Sequence, residues 1–416
     1  MIQAFYTGIS GIKSNQTSID LITDNLANTS TIGFREYDSE FSSMFEESLN
    51  MSSGMYDSIG VGVKFNATTM STATGNIILS DRSTDIAIMN NGWFGIQNGD
   101  DNLYTRAGNF TFDRDSDLVT SDGHFVLGTM GNNISEDGIL TSIVPEVPLG
   151  DIDTQEKLRF PKNITYLPEP STTTTYIGNI GSDANVITIG AGVVDPQNNK
   201  NNLKIDFTKS VPQVLPGVQW DAVATTQNLE GTTVYDTKTG VVSFDDRGAL
   251  ISSTLSTIDN NGTEVTIDLG TGFEGVVSID TMPLSLSSSS NGTMGGDLSG
   301  YSIDKNGEII ATFSNGLQSS VGRVAIFHFG NEQGLERASG ARFAQTSNSG
   351  DAFFYKDENG QNIIGTDLQN FYLEGSNVSM TTGLTDLIVH QRAFTASSKL
   401  ITTSDEMMQK ALAMDA

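Results

Sequence analysis

Asp113, Asp115 and Asp117 in DRDSD (113–117) alternate as the first ligands of a calcium loop do. A calcium helix–loop–helix would continue with Gly at its sixth position and Glu at its twelfth, where this chain has Leu118 and His124. The same acids fit a turn better. FDRDSDLV (112–119), FDDRGALI (244–251) and IDKNGEII (303–310) share an apolar residue, an Asp, a turn and an apolar pair. Asp113, Asp245 and Asp304 are expected to accept nearby backbone N–H groups, with Ser116, Gly248 and Gly307 in the left-handed position. The histidines, His124, His328 and His390, lack ligand spacing. No Gly-x-Ser-x-Gly elbow occurs. GVGVKF (60–65) runs into a strand, whereas a phosphate cradle opens a helix. Cysteine is absent, which removes thiolate nucleophiles and Cys-ligated metals. The expectation is no enzyme, no metal and no cofactor.

What, then, do the elements position? A chain of 416 residues is too long for one core, so two or three domains are expected. Abundant Gly (43) among short apolar runs, with only 9 Pro, predicts mainly β structure. A net charge of −28 makes nucleic acid and anionic lipid poor partners. No run reaches the roughly 20 apolar residues of a membrane helix, so no membrane insertion is expected. Nor does a basic segment lead into an apolar one, so no cleaved secretory signal is expected.

The ends are different. In MIQAFYTGISGIKSNQTSIDLI (1–22), Ile2, Phe5, Ile9, Ile12 and Ile19 form one helical stripe. Phe5, Ile12, Ile19 and Leu26 recur every seven residues, as do Leu387, Phe394, Ile401 and Met408 near the C-terminus. A mixed row, Leu384, Gln391, Ser398, Asp405 and Leu412, lies three residues ahead of the latter. These are matching heptad seams, predicting a coiled coil between helices about 39 and about 57 Å long. Ala393, Leu400, Met407 and Met414 add an apolar row that a two-stranded seam does not need. Gly8 and Gly11 each cost the first helix about 1 kcal/mol relative to Ala. Assembly between copies through Ile2, Phe5, Ile9, Ile12, Ile19, Leu26, Leu384, Leu387, Phe394, Ile401, Met408 and Leu412 explains the pattern. A two-helix stalk folded back on its own β domains explains it equally well.

The fold expected is mainly β with helical termini and nested β domains, an outer one inserted in an inner one. Helical segments are placed at 1–30 and 375–416, connecting segments at 31–70 and 361–374. The inner β domain takes 71–150 and 283–360, and the outer one 151–282. PKNITYLPEPSTTTTYIGN (161–179) and MPLSLSSSSNGTMGGDLSG (282–300) flag the crossings.

Asn25, Leu26, Ala27, Asn28, Gly33 and Phe34 stand in NLANTSTIGFR (25–35), and Ser376, Asn377 and Val378 in YLEGSNVSM (372–380). Gln391 and Arg392 follow in LIVHQRAF (387–394). These motifs resemble the terminal signatures of the bacterial flagellar axial proteins, the rod, hook and hook-associated subunits. Residues 90–128 resemble the first β domain of rod and hook proteins. Residues 301–335 and the insert resemble hook subunits more narrowly. The resemblance implies a homopolymer, a short curved tube carrying motor torque to the filament, with terminal helices lining its channel. It implies export through the flagellar type III apparatus, residence in the flagellum outside the cell, and contacts with distal rod, hook cap and hook–filament junction proteins. A distal rod or hook-like basal-body subunit would share the same termini.

Overall fold

A computed structural model describes residues 2–45, 60–99, 101–135, 137–182, 186–213 and 216–414. Helix α1 spans Ile2–Ala27 and helix α2 spans Met380–Met414. They pack antiparallel, with Gly8 beside Ile401 and Leu26 beside Gly383. The Ile2 and Met414 side chains lie outside the described residues.

After α1 comes an antiparallel hairpin, β1 (Tyr37–Phe45) and β2 (Gly60–Met70). The sequence shows no clear period here, and the register explains why. It slips between Glu40 and Phe41 and again between Met44 and Phe45, so alternation never runs far enough to be read.

The inner β body is built around a fourteen-stranded sheet. Along its main path lie Ile139–Leu140, Thr165–Tyr166, Gly296–Ile303, Glu308–Phe313, Gln318–Val324 and Phe125–Met130. Trp93–Asn98, Asp101–Thr105, Arg342–Ala344 and Glu336–Ser339 complete it. Phe94, Phe110, Leu158, Phe160, Ile164 and Tyr166 are buried in its core. The expected inner–outer division at 151 therefore falls inside this core. The proline-spaced stretch looks like a linker, yet Ile164 and Tyr166 tie it to the inner sheet.

The outer body runs from Thr173 to Ser290 as two five-stranded sheets. One is a meander of Val186–Val194, Lys200–Lys209, Val218–Asn228, Val234–Phe244 and Leu250–Ser253. The other centres on Thr173–Asn179, which Ser285–Ser290 flanks on one side. Ser285–Ser290 thus belongs to the outer body and not to the inner domain expected from residue 283. Trp220, Phe207 and Tyr176 fill the space between the sheets, and Val186–Val194 alternates exposed and buried as a one-sided strand should.

The Asp-led turns are present as expected. Asp113 Oδ1 accepts the N–H groups of Asp115 and Asp117 at 2.8 and 2.9 Å. Asp245 holds Arg247 and Ala249 in the same way, and Asp304 holds Asn306 and Glu308. Two further copies occur at Asp195 and Asp357. In every copy the residue three places after the Asp has φ between 64° and 86°.

Candidate assembly surface and the junction behind it

Glycine sets the closeness of the helical pair. A Cβ placed on Gly8 would lie 2.7 Å from Ile401 Cγ1, and one on Gly11 2.9 Å from Ser397 Oγ. At the other end, a Cβ on Gly383 would stand 3.0 Å from Leu26 Cδ2. Midway, His390 Nδ1 donates to Asn15 Oδ1 at 3.0 Å. Phe5, Ile9, Ile12, Ile19 and Leu26 on α1 are half-buried, as are Leu387, Phe394, Ile401 and Met408 on α2. Half-burial is what one helix partner can achieve.

Much of the rest of α2 is bare. Leu384 and Leu412, from the mixed row, are 47% and 73% exposed, and Gln391 and Asp405 between them are exposed too. Apart from Ser398, which is half-buried, that row therefore lies outside the seam with α1. Ile388, Val389, Leu400 and Met407 are also exposed, so large apolar side chains mark most of the length of the helix.

The opposite side of α1 carries small polar residues four apart. Ser14 and Ser18 are buried, Ser18 Oγ meets Ser39 Oγ at 2.8 Å, and Val63 N–H donates to Ser10 Oγ at 3.3 Å. This stripe seats the β1–β2 hairpin. Asn25 completes the docking, its side chain donating to Tyr37 O at 2.8 Å and accepting Tyr37 N–H at 3.2 Å. Sequence reading passed over Ser10, Ser14 and Ser18, although their four-residue spacing was a usable signal.

Most residues of the terminal motifs converge where helices meet β body. Asn28 Nδ2 donates to Asp24 O at 2.8 Å and Asn28 Oδ1 accepts Thr31 Oγ1–H at 3.1 Å, closing the end of α1. Gly33, at φ 68°, donates its N–H to Glu374 O at 2.8 Å, and a Cβ there would collide with the Ala107 backbone. Phe34 is buried beneath the Arg337 guanidinium, 5.0 Å from its ring centre. Arg337 also pairs with Asp24 at the end of α1. Asn377 Oδ1 accepts Glu36 N–H at 2.6 Å, while its Nδ2 donates to Ala73 O at 3.0 Å. Ser376 Oγ accepts Val378 N–H at 3.3 Å, and Val378 is half-buried. Ala27, Gln391 and Arg392 point into solvent.

At the centre lies Glu374, buried between Arg35 and Arg106. Its oxygens meet Arg35 at 3.1 Å and Arg106 Nε at 2.8 Å, and Oε1 accepts Gly75 N–H at 2.9 Å. Burial, then the charge of Arg106, lowers Arg35 to about 10 against the pull of Glu374. Burial pushes Glu332 up despite both arginines, and pushes Tyr37 up to about 12. One carboxylate thus ties together the segment after α1, the inner β body and the segment before α2. This is structural cement, and no reactive group is exposed in it. The histidines are far apart in role: His328 Nε2 hydrogen-bonds Ile364 O at 2.7 Å, and His124 lies against Arg342.

Comparison with known proteins agrees with this anatomy. The model of the flagellar basal body rod FlgEFG protein C-terminal region matches residues 369–414, and that of the flagellar hook protein FlgE/F/G D1 domain matches 87–191. The flagellar hook protein FlgE of Borreliella burgdorferi is 28% identical over 445 residues, covering 99% of each chain. That of Treponema pallidum is 26% identical, covering 100% of each, and that of Salmonella typhimurium 26%, covering 97% of this chain and 98% of its own. The crystal structure of Helicobacter pylori flagellar hook protein FlgE2 shares the fold, with a TM-score of 0.53 at 18% identity over 71% of this chain and all of that one. From the docked Asn25 motif to the bare face of α2 the chain is similar end to end to flagellar hook proteins, and these matches together support a flagellar hook and rod family protein.

Proposed function

We propose that this chain is the structural subunit of a flagellar hook, polymerising through its helical ends into a flexible tube that passes motor torque to the filament. The observation that carries this is the uncovered face of α2: Leu384, Ile388, Val389, Leu400, Met407 and Leu412 are exposed on a helix whose other face is already paired. Each such side chain covered by a neighbour contributes about 1.5–3 kcal/mol, so a few suffice to hold copies together. The alignment with hook proteins over nearly their whole length, insert included, supports hook over distal rod. The role is structural, not enzymatic. Distal rod, cap and junction proteins at the tube's ends, and export through the type III apparatus, follow from the same reading. So does the division into helical segments 1–30 and 375–416 around nested β domains.

Electron microscopy of flagella from a strain lacking this gene tests the reading, with rods lacking hooks as the expected result. Complementation with Ile388→Asp, a change at an exposed site, is expected to leave the monomer folded and hooks absent. Loss of the distal rod in the deletion, or normal hooks from the Asp variant, would overturn it.

A further inference from the structure

The chain passes between inner and outer β bodies twice, at 167–172 and 291–295. Glu169 and Thr293 exchange both backbone hydrogen bonds, at 2.8 and 2.9 Å, so the two passages form one narrow ribbon. Two turns grip this ribbon from opposite sides. From the outer body, Asn198 at φ 67° accepts Gly295 N–H on its Oδ1 at 2.8 Å, with its Nδ2 3.5 Å from Gly295 O. From the inner body, Asn315 Nδ2 donates to Met294 O at 2.6 Å. The carbonyl and the N–H of the single Met294–Gly295 peptide unit are thus held by asparagines of different domains. A Cβ on Gly295 would sit 2.7 Å from Tyr166 O, so the ribbon is threaded tightly at this point.

Both asparagines project from stiff supports. Asp195, buried at the base of the Asn198 turn, accepts the N–H groups of Gln197 and Asn199 and the side-chain amides of Asn199, Asn201 and Asn261. Asn315 Oδ1 accepts Leu317 N–H at 3.0 Å within its own turn. Among the described residues, no other side-chain hydrogen bond and no ion pair links 173–290 to the chain outside 167–291.

We propose that Asn198 and Asn315 are the positioning residues of the joint between the two β bodies, fixing the angle at which the outer body is carried. With both in place the ribbon is clamped at adjacent residues. With either gone, one body loses its grip on the 294–295 peptide and the joint bends at the Glu169–Thr293 pair. That the joint tunes the stiffness of a polymer rests on the hook reading above. The clamp itself does not.

The absence of cysteine makes the test direct. Spin labels on Ser121→Cys in the inner body and Thr237→Cys in the outer body, both exposed sites, report the distance between them in the full-length monomer. Native protein is expected to give one narrow distance distribution. Asn198→Gly keeps the left-handed backbone available and removes only the amide. It is expected to lose the narrow distribution with Tm unchanged, and Asn315→Ala to do the same. Narrow distributions in both variants, or broadening only alongside a lowered Tm, would overturn the clamp. Hooks assembled from Asn198→Gly subunits are expected to bend more easily. Unaltered hook stiffness with a broadened joint would cut the link to the polymer while leaving the clamp standing.

Discussion

Gly8 and Ile401 approach so closely that a single added carbon on Gly8 would lie 2.7 Å from Ile401 Cγ1. The glycine that weakens α1 by itself is what lets α1 reach α2. Helix propensity and helix pairing are therefore opposed at this position.

Gly8→Ala tests that opposition. In isolation the change favours the helix by about 1 kcal/mol. In the pair, Ile401 must move, and overpacking of this kind costs about 1–3 kcal/mol. The expected net result is a helical signal that melts at lower temperature, followed by circular dichroism, with part of the loss recovered when Ile401→Ala, which removes the clashing Cγ1, is added. A higher melting temperature for Gly8→Ala alone would refute the account.

Glu374→Gln leaves Arg35 and Arg106 buried without their counter-charge. Breaking a buried pair in this way costs about 3–5 kcal/mol. The loss is expected to appear locally, as faster hydrogen exchange at Gly75 N–H, which Glu374 Oε1 accepts, and at Gly33 N–H. Unchanged exchange at both amides would show that the triad is not holding the junction.

Asn25→Ala removes both hydrogen bonds to the Tyr37 backbone. With buried donors and acceptors left unpaired, the expected cost is about 1–3 kcal/mol. Hydrogen exchange of Tyr37 N–H checks it, and detachment of the β1–β2 hairpin from α1 is the expected consequence.

Acid is expected to loosen the outer body. Burial works to raise the Asp195 carboxyl, but the Asn261, Asn199 and Asn201 donors outweigh it and hold the group below its ordinary 3.8. A depressed folded-state value means the stabilisation is present above the unfolded value and is lost as pH falls through the folded one. Stability of the native chain should thus fall as pH drops below about 4. Asp195→Asn should flatten that part of the profile, as measured by Trp220 fluorescence. An unaltered profile in the variant would count against this assignment.

Much of this architecture is legible in the sequence where one period persists. The row Leu387, Phe394, Ile401, Met408 repeats every seven residues and does face α1. The row Leu384 to Leu412 repeats as regularly and, Ser398 apart, faces solvent, because periodicity marks a face without saying what covers it. The β1–β2 hairpin could not be read, since its bulges break the alternation and its anchor is a row of serines. Two Asp turns also escaped. VDPQNNKN (194–201) lacks the closing apolar pair, and KDENGQNI (356–363) lacks the apolar residue before Asp. The turn needs neither, only the carboxylate and a residue that tolerates left-handed backbone. As for Arg106 and Glu374, 268 positions apart, nothing in a single sequence joins them.

The twofold passage of the chain at each level has a mechanical consequence. The outer body hangs from the inner by two backbones, and the inner hangs from the helical pair by two more. A pull on the outermost tip is divided between paired strands at each stage and arrives at both ends of the polypeptide together. Cutting one strand at either stage would therefore leave the load on an unbroken peptide path, as a doubled rope does.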